Sequence, residues 1–116
     1  MNHAPDPAQT GRVAEMNDSA ALSAFLSQSG KTVVFFEMSG CPYCVPYKER
    51  FAELAASRPD IDFLRVSLDD PLSPLWERYG IGAVPAFIAF EQGEAVARAD
   101  SILALGLSRR RWSEFV

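Results

Sequence analysis

From Arg12 onward the apolar residues keep changing their spacing, from runs and alternations that suit strands to i, i+3, i+4 patterns that suit helices. A chain patterned this way is directed toward a sheet covered by helices. Arg12 to Met16 is a weak strand candidate. Asn17-Asp18-Ser19 then offers helix N-cap chemistry. Leu22, Phe25 and Leu26 follow on one helix face, and Ser29-Gly30 ends it. Thr32-Val33-Val34-Phe35-Phe36 is a short β-branched and aromatic run, the pattern of a strand buried on both faces. Beyond Ser39-Gly40-Cys41-Pro42-Tyr43-Cys44 a helix is predicted to about Ser57, with Tyr47, Phe51, Leu54 and Ala55 on its apolar face and Pro59 past its end.

From Ile61 to Leu68, Leu64, Val66 and Leu68 alternate with Arg65 and Ser67, as in a strand. Asp70-Pro71 reads as an N-cap and first-turn proline. The helix it opens would carry Leu72, Leu75, Trp76 and Tyr79 on one face and close at Gly80. Ala86 to Phe90 is an apolar strand. Glu91-Gln92-Gly93-Glu94 is a turn whose glycine can take positive φ, and Ala95 to Ala99 returns as the hairpin partner. Asp100 to Gly106 is a loop feeding a last helix, capped by Ser108, with Trp112, Phe115 and Val116 on one face. The predicted order is β-α-β-α-β-α-β-β-α: an α/β fold with a mixed sheet, parallel where crossovers are helical and antiparallel in the final hairpin, flanked by helices. Residues 1–11 read as a flexible tail and 12–116 as one domain.

Composition narrows the function classes. The 116 residues are enough to bury a core without disulfide staples or a structural metal. A net charge of -4 argues against nucleic acid or an anionic membrane as partner, since both select basic surfaces. The one basic run is Arg109-Arg110-Arg111. No stretch approaches the roughly 20 apolar residues that cross a bilayer. Met1 to Thr10 is polar, with Pro5 and Pro7, and lacks the basic start and apolar run of a secretory signal. The expected compartment is therefore cytoplasmic.

Cys41 and Cys44 are the only cysteines, and they sit between a buried strand and a helix. A helix N-terminus carries unpaired N–H groups and partial positive charge. A thiolate there is stabilised, which lowers a cysteine pKa from about 8.5 into the range of roughly 3.5–7.5. Cys41, at the predicted helix start, is the candidate nucleophile. Cys44, one turn in and closer to the core, is the candidate resolving thiol. Two intervening residues let the sulfurs meet, so a mixed disulfide can be released intramolecularly. Pro42 suits a first helical turn. Half of a zinc site is the competing reading, but a complete site needs about four ligands and the sole histidine is His3. A purely structural disulfide closing so small a loop would add little stability.

With Cys41-Pro42-Tyr43-Cys44, Tyr79-Gly80-Ile81 leading to Val84-Pro85, and Gln92-Gly93-Glu94 in the hairpin, the chain resembles the thioredoxin superfamily from about Arg12 to Val116. The resemblance implies a thioredoxin-like fold in which Pro85 is a cis-proline facing the two sulfurs. It also implies that Val84 offers its backbone to an extended substrate peptide. A trans proline at a strand start is the plain alternative. The Pro-Tyr dipeptide resembles glutaredoxins, whereas the hairpin after Pro85 resembles thioredoxins. Where thioredoxins usually place a tryptophan before the first cysteine, this chain has Gly40. The glycine and acidic pair that holds glutathione in glutaredoxins has no clear counterpart; Asp100 is the nearest.

Thioredoxins bury an acid six residues before the first cysteine, and that position here is Phe35. Glu37, on the same strand face and nearer the surface, or a water could take its place in proton transfer; a solvated strand end is the plainer reading of Glu37. Arg65 matches the basic position that pairs with the thioredoxin acid, and reads as a surface charge without it. Pro46, two residues after Cys44, is near the limit of what a helix tolerates and could bend it. Tyr43 is expected to pack over the disulfide or a substrate, or to be an exposed aromatic.

The resemblance implies a thiol–disulfide oxidoreductase acting on protein disulfides through Cys41 and Cys44. It would need no metal or organic cofactor, would be reset by a reductase or glutathione, and would act as a monomer. Two alternatives stand beside it. One is a glutathione-coupled, glutaredoxin-like enzyme, which could hold an iron–sulfur cluster between two subunits. The other is a redox-inactive binding module that uses the groove by Pro85.

Overall fold

The structure, a computed structural model, describes residues 13–101. The chain runs β1 (Val13–Glu15), α1 (Ser19–Gln28), β2 (Lys31–Glu37), α2 (Val45–Ser57), β3 (Asp62–Ser67), α3 (Leu75–Arg78), β4 (Ala86–Glu91) and β5 (Glu94–Asp100). The predicted tail and the helix from Ser108 lie outside the described residues. The strand order is β1-β3-β2-β4-β5. β1 and β2 both pair parallel to β3, while β4 runs antiparallel to β2 and to β5. The expected mixed sheet is what forms, with a helical crossover wherever neighbours are parallel.

Local chemistry explains the boundaries. Asp18 caps α1, its carboxylate accepting the Ala21 N–H at 2.8 Å. Gln92 and Gly93 both have positive φ (52° and 87°) between the paired Glu91 and Glu94. That is the two-residue turn whose twist matches a hairpin, and glycine meets its demand at the second position without strain. The helix expected from Asp70 to Tyr79 shrinks to the four residues of α3. Pro74 is the reason: the residue before a proline is pushed out of helical geometry, so the helix starts only after Ser73. Asp70 instead closes a turn, accepting the Leu72 N–H at 2.9 Å. Leu72, expected on the buried face, is 88% exposed as a result.

The pleat of β2 divides its side chains between two cores. Val34 and Phe36 join Leu22 and Leu26 of α1, Leu64 and Val66 of β3, Leu75 and Ile88 in a mainly aliphatic layer, with Phe90 and the partly buried Phe25, Trp76 and Tyr79 at its side. Val33 and Phe35 face α2 in an aromatic layer with Tyr47, Phe51, Phe63, Phe87 and Cys44. Phe35 stacks on Phe87 with centroids 4.6 Å apart and meets Phe51 edge-on at 5.3 Å. Each such buried ring contributes about 1.5–3 kcal/mol through burial alone. This layer holds α2 against β2 and so fixes where the residues just before α2 stand.

Candidate active site

β2 ends at Glu37, and the chain turns through Met38-Ser39-Gly40 into the cysteine pair. Gly40 has φ 74°, a conformation glycine takes without the steric cost other residues bear. Two further hydrogen bonds shape the turn, Cys41 N–H to the Met38 carbonyl at 3.3 Å and Cys44 N–H to the Cys41 carbonyl at 3.1 Å. α2 begins at Val45 with Cys44 as its N-cap. The sequence puts Cys41 at the helix start and Cys44 about a turn inside; in the structure both precede the helix. The same boundary accounts for Pro46. It stands in the first turn, where its missing N–H would have had no intrahelical partner.

Cys41 and Cys44 are joined as a disulfide, with Cα atoms 5.3 Å apart. Their environments differ. Cys44 is fully buried in the aromatic layer, whereas Cys41 is half-buried at its edge. The Cys44 N–H points at Cys41 Sγ from 3.2 Å. A negative charge on that sulfur would meet this donor and the positive end of α2. Pro42 and Tyr43 lie on the exposed side of the pair.

The Val84–Pro85 bond is cis. Pro85 is buried at the start of β4, and the Val84 carbonyl oxygen lies 4.0 Å from Cys41 Sγ. Val84 packs against both cores. The structure thus brings together Cys41, Cys44 and Val84-Pro85 across the β2–β4 pair. The end of β5 holds this loop from behind. The Ser101 hydroxyl donates to the Pro85 carbonyl, and Arg98 donates to the Gly80 carbonyl at 3.3 Å while paired with Asp100. Asp100 is thereby engaged with Arg98, which raises the arginine pKa through that hydrogen bond.

On the other side of β2 the outcome departs from the sequence reading. Glu37 is only 6% exposed, so it is not a solvated strand end. Its Oε2 lies 2.6 Å from Arg65 Nε, and its Oε1 lies 3.6 Å from Lys48 Nζ. Arg65 is thus no lone surface charge; it bridges Glu37 and Glu15. Register explains how. Arg65 pairs with Phe35 and Ser67 with Glu37, so an arginine one step back along β3 reaches across to the end of β2. Lys48 was missed, although it follows Cys44 by four residues and so shares its helix face. Ser39 and Asp69 were missed too. The Ser39 N–H and hydroxyl donate to the two carboxylate oxygens of Asp69 at 2.6 and 2.7 Å, tying the turn before Cys41 to the chain after β3. The Ser39 hydroxyl bond leads in holding Asp69 below the usual carboxylate pKa. No local pattern announces a bond across 30 residues.

No family model matches the sequence. A thioredoxin H-type protein of Fagopyrum esculentum is 35% identical over 71 residues, 60% of this chain and 60% of its own length. Glutaredoxin-3 of Mus musculus is 31% identical over 78 residues, 67% of this chain and 23% of its own length. The fold is that of thioredoxin f from spinach chloroplast in its long form, with a TM-score of 0.78 at 21% identity over 93% of this chain and 86% of that one. The chain is thus similar in sequence to thioredoxins and glutaredoxins and has the thioredoxin-like fold. It spans less than two thirds of the length of either curated relative. Beside this likeness, its cysteine pair carries an exposed Pro42-Tyr43 bridge and an ion cluster gathers at Glu37. Among the described residues no three His, Cys, Asp or Glu side chains gather to hold a metal ion. No helix there is long and apolar enough to cross a membrane.

Proposed function

We propose that the protein is a thiol–disulfide oxidoreductase that exchanges disulfides of protein substrates through Cys41 and Cys44. The observation that carries this reading is the asymmetry of the pair, with one sulfur reachable beside the Val84 carbonyl and the other sealed in the core. The Cys41 thiolate attacks a substrate disulfide, forming a bond between Cys41 Sγ and one substrate sulfur and expelling the other as a thiolate, which is protonated. Cys44 then loses its proton and attacks Cys41 Sγ. The second substrate thiol leaves, the substrate has gained two electrons and two protons, and the Cys41–Cys44 disulfide remains. A dithiol reductase or glutathione supplies the two electrons that reset it.

In this reading Val84 pairs its backbone with an extended substrate beside Pro85, while Pro42 and Tyr43 shape the outer wall. Glu37, directly or through a water, receives the Cys44 proton. Its Oε1 is buried and accepts no hydrogen bond, which leaves a site for a proton or a donor. A Glu37→Gln enzyme with the parent's pH–rate profile would remove that role. The protein works as a monomer, and a reducing compartment such as the cytoplasm would keep the pair poised as a donor.

The test is trapping. Cys44→Ser should accumulate a mixed disulfide on Cys41, seen by mass spectrometry, with multiple turnover lost. Cys41→Ser should form no adduct and show no turnover. Equal adduct formation by both variants would overturn the assignment of nucleophile and resolving thiol.

A further inference from the structure

The segment between α3 and β4 carries Val84-Pro85, yet little of its own backbone fixes it. At its start the N–H groups of Gly80 and Ile81 donate to the Glu77 and Trp76 carbonyls at 3.2 and 2.8 Å. Gly82, Ala83 and Val84 then take part in no backbone-to-backbone hydrogen bond among the described residues. Side chains from the end of β5 reach the segment instead. Arg98 and Asp100 are two residues apart and so share one face of the strand. Arg98 Nε and Nη2 donate to the two Asp100 carboxylate oxygens at 2.7 and 2.8 Å, a forked pair that fixes the guanidinium plane. Nη2 also donates to the Gly80 carbonyl at 3.3 Å. Beyond Val84 the Ser101 hydroxyl donates to the Pro85 carbonyl. The segment is thus gripped on both sides of Val84. The Val84 carbonyl itself, 4.0 Å from Cys41 Sγ, is held by neither side chain.

In the reading above, Val84 is the backbone with which an extended substrate pairs. A hydrogen bond weakens steeply as its geometry departs from the optimum, and small misplacements of reacting groups are costly. A Val84 carbonyl free to wander would align a substrate disulfide with Cys41 only part of the time. We infer that Arg98 and Ser101 are positioning residues for the exchange reaction, holding the Val84 carbonyl where the backbone of a substrate at Cys41 meets it. Asp100 acts one step further back, by orienting Arg98. The inference rests on the oxidoreductase reading and adds an alignment device to it. The device serves substrates with a peptide backbone, because a disulfide without one has nothing to pair with Val84.

That distinction supplies the test. Parent and variants are compared on a disulfide-bonded peptide and on hydroxyethyl disulfide, at a temperature well below unfolding. Ser101→Ala should raise KM for the peptide about fivefold with kcat nearly unchanged, the signature of lost binding common to ground state and transition state. Arg98→Met should act in the same direction, and the two together more strongly than either. Ser101→Thr, which keeps the hydroxyl, should keep the parent's KM. For hydroxyethyl disulfide kcat/KM should change by less than about twofold in every variant. If the double variant proves unstable, Ser101→Ala set against Ser101→Thr carries the test alone. Parallel losses on both disulfides would mean that these side chains merely support the fold, and would overturn the positioning role while the dithiol chemistry stands. An unchanged peptide KM would do the same. A parent protein that reduces neither disulfide would instead remove the oxidoreductase reading, and this inference with it.

Discussion

The dithiol has two flanks, one toward β4 and one toward β3, and they are built from different materials. Toward β4 stand the carbonyls of Val84, Pro85 and Gly80, the last two held by Ser101 and Arg98. Toward β3 stand side-chain charges, with Glu37 gripped by Arg65 and Lys48 and Asp69 gripping Ser39. Of the carbonyls, that of Val84 is held by neither Ser101 nor Arg98, and a carbonyl acceptor does not titrate. A wall of charges can discriminate between partners.

The sharpest way to break the comparison is Arg65→Met. It leaves Glu37 nearly buried with only Lys48 at 3.6 Å. Losing a partner from a fully buried pair costs about 3–5 kcal/mol; Arg65 is one-third exposed and Lys48 stays, so about 2 kcal/mol is expected by urea unfolding. Adding Glu37→Gln should restore most of the loss, because the stranded charge goes with it. If single and double variants were equally unstable, the charged flank would owe its stability to packing instead. On the other flank, Ser101→Ala removes one hydrogen bond to a backbone carbonyl and should cost about 1 kcal/mol. That cost should be the same at low salt and at roughly 0.5 M salt, where screening is strong. A marked salt dependence would mean that this flank too is electrostatic.

The two flanks were not equally legible. Val84-Pro85 is a local motif, and the turn before it and the hairpin after it are punctuated by Gly80 and Gly93, so the β4 side could be read from adjacent residues. The Asp18 cap and the two-core division of β2 were readable for the same reason, through short-range spacing. The charged flank depends on three elements meeting. A glutamate at the end of an apolar strand looks solvated until β3 is known to place Arg65 opposite Phe35 and α2 to carry Lys48 over it. Pro46 misled in the other direction. Read as a strain inside a helix, it marks instead where α2 begins, one residue after Cys44. Pro74 had the information to shorten α3, because its ring excludes helical geometry at Ser73; the apolar spacing of Leu72, Leu75 and Trp76 outweighed it in the sequence reading.

The unequal exposure of the two sulfurs has a practical side. In the reduced protein Cys41 would be the accessible handle and Cys44 a sealed one. A bulky maleimide or a gold surface would therefore attach at one defined point, even though the chain carries two cysteines. Anchored there, the molecule would stand with its Val84–Pro85 edge toward the support.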